Sequence, residues 1–379
     1  MTRSMEQPSP ETDIETDMNE ATQILFDLVN TPSVSGNERA AAEVFVAHAS
    51  QLGYESHIDE VNNAIAHRGA SESDAKIHLV LLGHIDTVPG DIEVRIEGEI
   101  LHGRGSVDAK GPLVAMLVAG SRAQLPEGVR LTVAGAAGEE ASGSIGARHL
   151  VHQWNPDGCI IGEPSGFDGV TLGYKGRLLA TAKSTCPNTH SAGKDPSACD
   201  HLHAWWASVN ADAEQFNHEP SRTFDQIQAT LQSFSSSSDG LDQHASMHTG
   251  FRLPPKINPT TYAEHLRSLA SECVTIEFEG FESAYATDRN DPIVRALSNA
   301  IRSQGSRPRP KLKTGTADLN VVAPIWKCPI AAYGPGDSSL DHTPTEHLDL
   351  SELDLSIQIL VTAIEDYFDF SLTANQSTQ

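Results

Sequence analysis

The sequence is short of lysine. Only 9 of its 379 residues are Lys and 17 are Arg, against 51 Asp plus Glu, which leaves a formal net charge of −25. Phosphate contacts need basic patches, so nucleic acid and anionic membrane surfaces are not expected partners. An acidic, lysine-poor chain suits concentrated salt, with an ordinary acidic cytoplasmic protein as the alternative. Cysteine is scarce too. Cys159, Cys186, Cys199, Cys273 and Cys328 are odd in number and none pair at Cys-x-x-Cys spacing. Neither a disulfide framework nor a thiolate zinc site is indicated, and a reducing cytoplasm fits. No run approaches the ~20 apolar residues of a membrane span. The first eight residues, Met-Thr-Arg-Ser-Met-Glu-Gln-Pro, lack an apolar signal region.

What is present suffices for a sizeable core, since 39% of the residues are hydrophobic. The length suits two domains, or one with a large insertion. Residues 1–17 are polar and acidic and read as disordered. Helical periodicity begins near Asn19, with Ile24, Leu25, Leu28 and Val29 on one face, and a second helix spans about Glu38 to Gly53. The apolar run Ile77–Leu82 reads as a buried strand, Ile92–Leu101 as a hairpin and Gly111–Gln124 as a helix. Val129–Ala137 is another buried strand, with a helix near 144–154 and a short strand at 159–161. This alternation predicts a three-layer α/β domain. From about 174 to 284 the pattern turns α+β: a strand at 178–186, two helical stretches flanking a Ser-rich loop at 233–239, and a strand at 274–278. The first domain then resumes over 285–370, with an amphipathic helix from Asp291, a strand pair at 320–322 and 330–333, and a final helix over 351–368. Residues 371–379 read as a polar tail.

Candidate chemistry gathers at strand ends and in glycine-rich loops. His84 and Asp86, in Gly-His-Ile-Asp-Thr-Val-Pro at 83–89, stand two apart at the end of a buried strand and share a face. A His beside a carboxylate makes an oriented metal ligand, or simply a His packed on a turn. Asp108 lies in Gly-Arg-Gly-Ser-Val-Asp-Ala-Lys-Gly at 103–111, which lacks the Gly-Lys-Ser/Thr of a phosphate loop; it could bridge two cations or cap a helix. Glu139 and Glu140 follow a strand; adjacent carboxylates repel unless cations or protons are present. One could hold metal while the other takes a proton from water. Glu163, in Gly-Glu-Pro, and His342, in Asp-His-Thr, are each a ligand or a solvated loop residue. Together this N/O donor set suits Zn²⁺, Co²⁺ or Mn²⁺.

These motifs, in this order, resemble the M20 metallopeptidase family over about residues 20–368. The resemblance implies a catalytic domain of mixed sheet and helices with an inserted lid and dimerisation domain over 174–284. It implies two divalent metal ions per subunit, Zn²⁺ or Co²⁺: His84 and Glu163 on one, Glu140 and His342 on the other, and Asp108 between them. Asp86 would orient His84, Glu139 would be the general base, and His190, from a partner subunit in a homodimer, would stabilise the oxyanion. Arg252 would grip a substrate carboxylate. Cys186 and Gly250 depart from the family pattern, which commonly has Gly and an acidic residue there. Gly173–Arg177 and Lys313–Asn320 are most similar to the branch that releases lysine or ornithine from the C-terminal glutamate of an amino-group carrier protein, in carrier-linked lysine and arginine biosynthesis. Lys175, Arg177 and Lys313 would then meet carboxylates of the carrier's end or of the amino acid, the alternative being that they are solvated or structural. The carrier of that branch is acidic, so an enzyme this acidic needs a local basic mouth or high salt. A small-molecule N-deacylase such as acetylornithine deacetylase, a dipeptide exopeptidase, and an inactive metal-stabilised binding protein are the alternatives.

Overall fold

The nearly continuous apolar run from Ile77 to Leu82, broken by His78, points to a strand covered on both faces. The computed structural model, which describes residues 18–190, 192–219 and 221–376, places it so. The stretch 1–17, expected to be disordered, lies outside the described residues, as does the end of the expected polar tail.

Two helices come first: α1 (Glu20–Val29), capped by the Asn19 side chain on Thr22 N, and α2 (Arg39–Gln51). Strands β1 (Glu55–Ile58) and β2 (Ala64–Gly69) precede β3 (Ile77–His84). A small hairpin, β4 (Arg95–Glu97) and β5 (Ile100–His102), and helix α3 (Lys110–Arg122) lead to β6 (Val129–Ala136). Helix α4 (Ile145–Leu150), β7 (Gly158–Gly162) and β8 (Gly169–Tyr174) follow. Then come β9 (Gly176–Pro187), α5 (Ala198–Phe216), β10 (Gln228–Ser238), β11 (Asp242–Leu253), α6 (Pro259–Ser268) and β12 (Val274–Glu282). The chain returns through β13 (Tyr285–Ala286), α7 (Pro292–Ser303), β14 (Arg309–Lys313), α8 (Asp318–Trp326), β15 (Ile330–Ala332), β16 (His347–Asp349) and α9 (Leu350–Gln376).

The main sheet has nine strands in the order β1-β2-β6-β3-β7-β15-β8-β13, with β14 paired to β8. Side-chain alternation splits its buried residues between two layers. Leu79, Leu81, Leu131 and Val133 pack with α1, α2, α3, α7 and α9. Val80, Leu82, Ala134 and Ile161 pack with α4 and α8 on the other face. The molecule is therefore mixed α/β, three layers deep in this part. The strands β10-β11-β9-β12 form a separate antiparallel sheet. Leu178, Trp205, Met247, Phe251 and Leu266 centre its own core against α5 and α6. No helix among the described residues is long and apolar enough to cross a membrane.

Three local expectations are corrected. Ser233–Ser238 is not a loop but the outer half of β10, an edge strand paired only with β11 and solvent-exposed along its length. Serine is tolerated there because no face is packed, and a polar edge discourages unwanted strand pairing. Residues 320–322 are helical, within α8: the Asn320 side chain accepts from Ala317 N, which secures the first turn of an apolar run that looks like a strand. The helix expected over 144–154 ends at Leu150.

Candidate metal centre

Strands β6, β3, β7 and β15 lie side by side and run parallel, so their C-terminal ends share one edge of the sheet. That edge is where open α/β sheets bind ligands. β3 ends on His84, β6 leads into Glu139–Glu140, β7 into Glu163, and β15 into the loop carrying His342. Asp108 arrives from the glycine-rich loop before α3 and meets both imidazoles. His84 Nε2 lies 3.2 Å from Asp108 Oδ1, and His342 Nε2 lies 3.1 Å from Asp108 Oδ2 and 2.9 Å from Glu140 Oε1. Three sets have ligand atoms within 4.8 Å of one another: His84, Asp108 and Glu163; Asp108, Glu140 and His342; His84, Glu139 and Glu140. Asp108 belongs to the first two, and Glu139 to neither.

Two further carboxylates build the loops. Asp86 is fully buried, and its oxygens accept from Glu139 N at 3.1 Å, Glu140 N at 3.0 Å and Ser35 Oγ at 2.7 Å. It therefore sets the Glu139–Glu140 turn. Its contact with His84 is looser: Nδ1 lies 3.6 Å from the carboxylate and 3.0 Å from the Asp86 carbonyl oxygen. Glu346, also fully buried, accepts at Oε1 from Gly105, Val107 and Asp108 N, each at 3.0 Å, and at Oε2 from Arg104 Nη1 at 2.7 Å. Gly105 takes a φ of +86°, and a Cβ there would meet Thr87 Cγ2 at 2.7 Å, so the loop admits no side chain at that point. The Lys110 ammonium, buried at the loop's end, donates to the Leu28 and Thr31 carbonyls, both at 2.9 Å.

The charge balance favours cations. Burial raises Glu163 to about 8, with Asp108 adding to the effect, and burial also lifts Glu139, Glu140 and, to about 8, Asp341. Hydrogen bonds from His342 and His84 outweigh burial at Asp108 and hold it well below the usual carboxylate range. His342 is pushed up to about 10 by its bonds to Asp108 and Glu140. Burial opposes the charge on His84, but Asp108 and Asp86 keep it well above the usual imidazole value. The carboxylates thus outnumber the positive groups and take up protons, and Asp341 Oδ1 is buried with no partner. Two imidazoles and a surplus of carboxylates are donors that fit a borderline divalent ion.

The residues expected to touch substrate separate into two groups. Arg177, Arg252 and Lys313 line the same cavity of ≈ 530 Å³ as Asp108, Glu139, Glu140, Glu163 and His342. Arg252 Nη1 donates to Thr316 Oγ1 at 2.6 Å, Arg177 Nε to Glu282 Oε2 at 3.2 Å, and the Lys313 ammonium lies 5.8 Å over the Tyr174 ring. Lys175 does not join them. It is fully buried, and its ammonium donates to Thr223 O at 3.1 Å, to Gln228 Oε1 at 2.9 Å and to the Gln226 carbonyl, so it fastens the turn before β10. His190 is exposed and does not line the cavity of its own chain; its Nδ1 accepts from Ala192 N at 3.1 Å.

Sequence reasoning missed Glu346, Asp341 and Asp318. Asp341 adjoins His342 in the same motif and could have been read there. Asp318 opens α8 and is buried, with neither carboxylate oxygen hydrogen-bonded; burial raises it to about 7. Nothing in the sequence around Glu346 marks it.

Residues 80–366 match the model of peptidase family M20/M25/M40. A Deinococcus radiodurans protein named a LysW-lysine hydrolase is 44% identical over 356 residues, covering 92% of this chain and 97% of the relative. A Saccharolobus islandicus protein named a LysW-lysine/LysW-ornithine hydrolase is 28% identical, covering 93% of this chain and 97% of its own. Among solved structures, an M20 family metallo-carboxypeptidase from Sulfolobus solfataricus superposes with a TM-score of 0.75 at 17% identity, over 93% of this chain and all of the other.

Proposed function

This chain belongs to peptidase family M20/M25/M40, and from that premise we propose that it releases lysine, and secondarily ornithine, from the C-terminal glutamate of an acidic amino-group carrier protein. It is a metal-dependent hydrolase of amide bonds. The sharing of Asp108 by two ligand sets, with Glu139 beside them, carries the chemistry. The 44% identity along nearly the whole of both chains supports the substrate.

In this reading His84, Asp108 and Glu163 hold one divalent ion, and Asp108, Glu140 and His342 a second, each Zn²⁺ or Co²⁺. When bound, such ions would supply Lewis-acid chemistry, making a water more acidic and an amide carbonyl more electrophilic. Glu139 accepts the proton of the attacking water and returns it to the leaving amine. Its buried setting raises its affinity for that proton, which suits a group that must both take and give it. Arg252, Arg177 and Lys313 meet substrate carboxylates in the cavity. His190 of a second subunit, brought in by pairing of the β9–β12 sheets, steadies the oxyanion.

The test is a panel of amides with the metal-loaded protein: carrier-linked lysine, carrier-linked ornithine, N-acetylornithine and a dipeptide. Carrier-linked lysine should give the highest kcat/KM. Faster release from N-acetylornithine or the dipeptide would replace the carrier reading with a small-molecule one.

A further inference from the structure

Away from the metal cavity, Arg289, Arg295, Arg302 and Arg307 line one cleft of ≈ 600 Å³ formed by the start of α7, its outer face and the turn into β14. All four are exposed. In a chain with 51 acidic residues to 26 basic ones, this clustering runs against composition. Eight other arginines reach a carboxylate within 4.0 Å. Among the described residues, none of these four does. Arg302 bonds only the Asn299 amide, at 2.9 Å. The nearest acids in sequence are committed elsewhere: Asp291 caps α7 through Ile293 N and Val294 N, and Asp288 accepts from Asn290 N.

We infer that this cleft docks an acidic polypeptide, the carrier whose modified C-terminus enters the metal cavity; the inference rests on the carrier-linked reading above. Guanidinium forks match carboxylates in pairs, and four without a carboxylate partner form a local field opposite in sign to the net charge of the chain. β14 connects the two places, with Arg307 just before it in the cleft and Lys313 at its end in the cavity. Six residues at ~3.3 Å each make this distance on the order of 20 Å. An extended tail of about six residues covers it. Pro308 and Pro310 line the cleft and lack an N–H, so recognition there is by side-chain charge and not by adding a strand. A long polyanion would meet the repulsion of a chain of net charge −25, whereas a small acidic domain need touch only the cleft.

The test is the charge-reversal pair Arg295→Glu/Arg302→Glu in the full-length, metal-loaded enzyme, assayed on carrier-linked lysine and on free γ-glutamyl-lysine. The expected result is at least a tenfold rise in KM for the carrier substrate, with kcat and γ-glutamyl-lysine hydrolysis unchanged. The steep salt dependence of the wild-type KM should flatten in the variant. If γ-glutamyl-lysine hydrolysis also falls, the milder Arg295→Gln/Arg302→Gln pair is judged by the same criteria. Unchanged carrier kinetics would overturn the inference. So would a labelled single-stranded oligonucleotide that binds wild type and not the variant while carrier turnover stays level, which would assign the cleft to nucleic acid. If wild type cleaves neither amide, the substrate reading itself falls; a carrier KM insensitive to reversal, with both amides cleaved, removes the docking surface alone.

Discussion

Glu139 and Glu140 are neighbours in sequence with different surroundings. Asp86 accepts from both backbones, but the Glu140 side chain meets His342, whereas Glu139 joins neither of the sets built on Asp108. Glu139→Gln should therefore keep its metal content, by elemental analysis, while kcat falls about 10²–10⁴-fold, the usual range for a lost general base. Near-wild-type turnover would remove Glu139 from that role. Glu346 acts at one remove. Glu346→Gln sets an amide N–H against Arg104 and weakens three backbone bonds, so stability should drop by about 1–3 kcal/mol in a denaturant titration. Cation affinity should weaken by about 10–100-fold in a chelator competition, as for other groups that orient ligands. His84, Asp108, Glu139, Glu140, Glu163 and His342 were legible because strand ends and glycine loops flag them locally. Glu346 was not, because its partners lie some 240 positions away. Lys175 misled because the sequence gives a lysine's position but not where its ammonium points.

At the scale of elements, hydrophobic period found β3, β6, β7, β9, β12 and β15, the β4–β5 hairpin and all the helices but α8. It failed where local pattern and tertiary role part company: on β10, exposed and serine-rich, and on α8, apolar enough to pass for a strand. It also passed over β1, β2, β8, β11, β13, β14 and β16, which are short, glycine-bearing or only partly apolar. One cross-strand feature makes a pH prediction. The Thr132 hydroxyl on β6 bonds His67 Nδ1 on β2 and His78 Nε2 on β3, both at 2.8 Å. Burial, then the charge on Arg130, lowers His67 to about 3 and His78 to about 4. The unfolded chain binds these protons near 6.5. Between pH 6.5 and about 4 it therefore takes up protons that the folded state refuses, and stability falls as pH falls through that window. For His78 the loss is on the order of 2–3 kcal/mol. His78→Gln should flatten the acid limb of a urea-midpoint profile measured from pH 6.5 to 4.5; an unchanged slope would count against neutral imidazole here.

For the whole molecule, the net charge of −25 was plain from composition, but its unevenness was not. Four arginines gather in the cleft along α7, where a sum over the chain conceals them. The cavity's surplus carboxylates repel one another unless protons or cations are present, so metal is expected to support the fold as well as the chemistry. Removing metal with a chelator should abolish amide hydrolysis and lower Tm. Adding back Zn²⁺ or Co²⁺ should restore both, since saturation at a thousand times Kd contributes about 4 kcal/mol. A Tm indifferent to chelation would mean that the ligand loops hold their shape unaided.

The tie between Glu346 and the Asp108 loop bears on how the protein is made. Asp108 leaves the ribosome well before the carboxylate that fixes its backbone, which is translated only after the β9–β12 sheet and β15. Four of the five proposed ligands, His84, Asp108, Glu140 and Glu163, are thus made long before the group that shapes the Asp108 loop. Cation loading is then expected to wait for Glu346, and a nascent chain arrested before it should retain no tightly held metal.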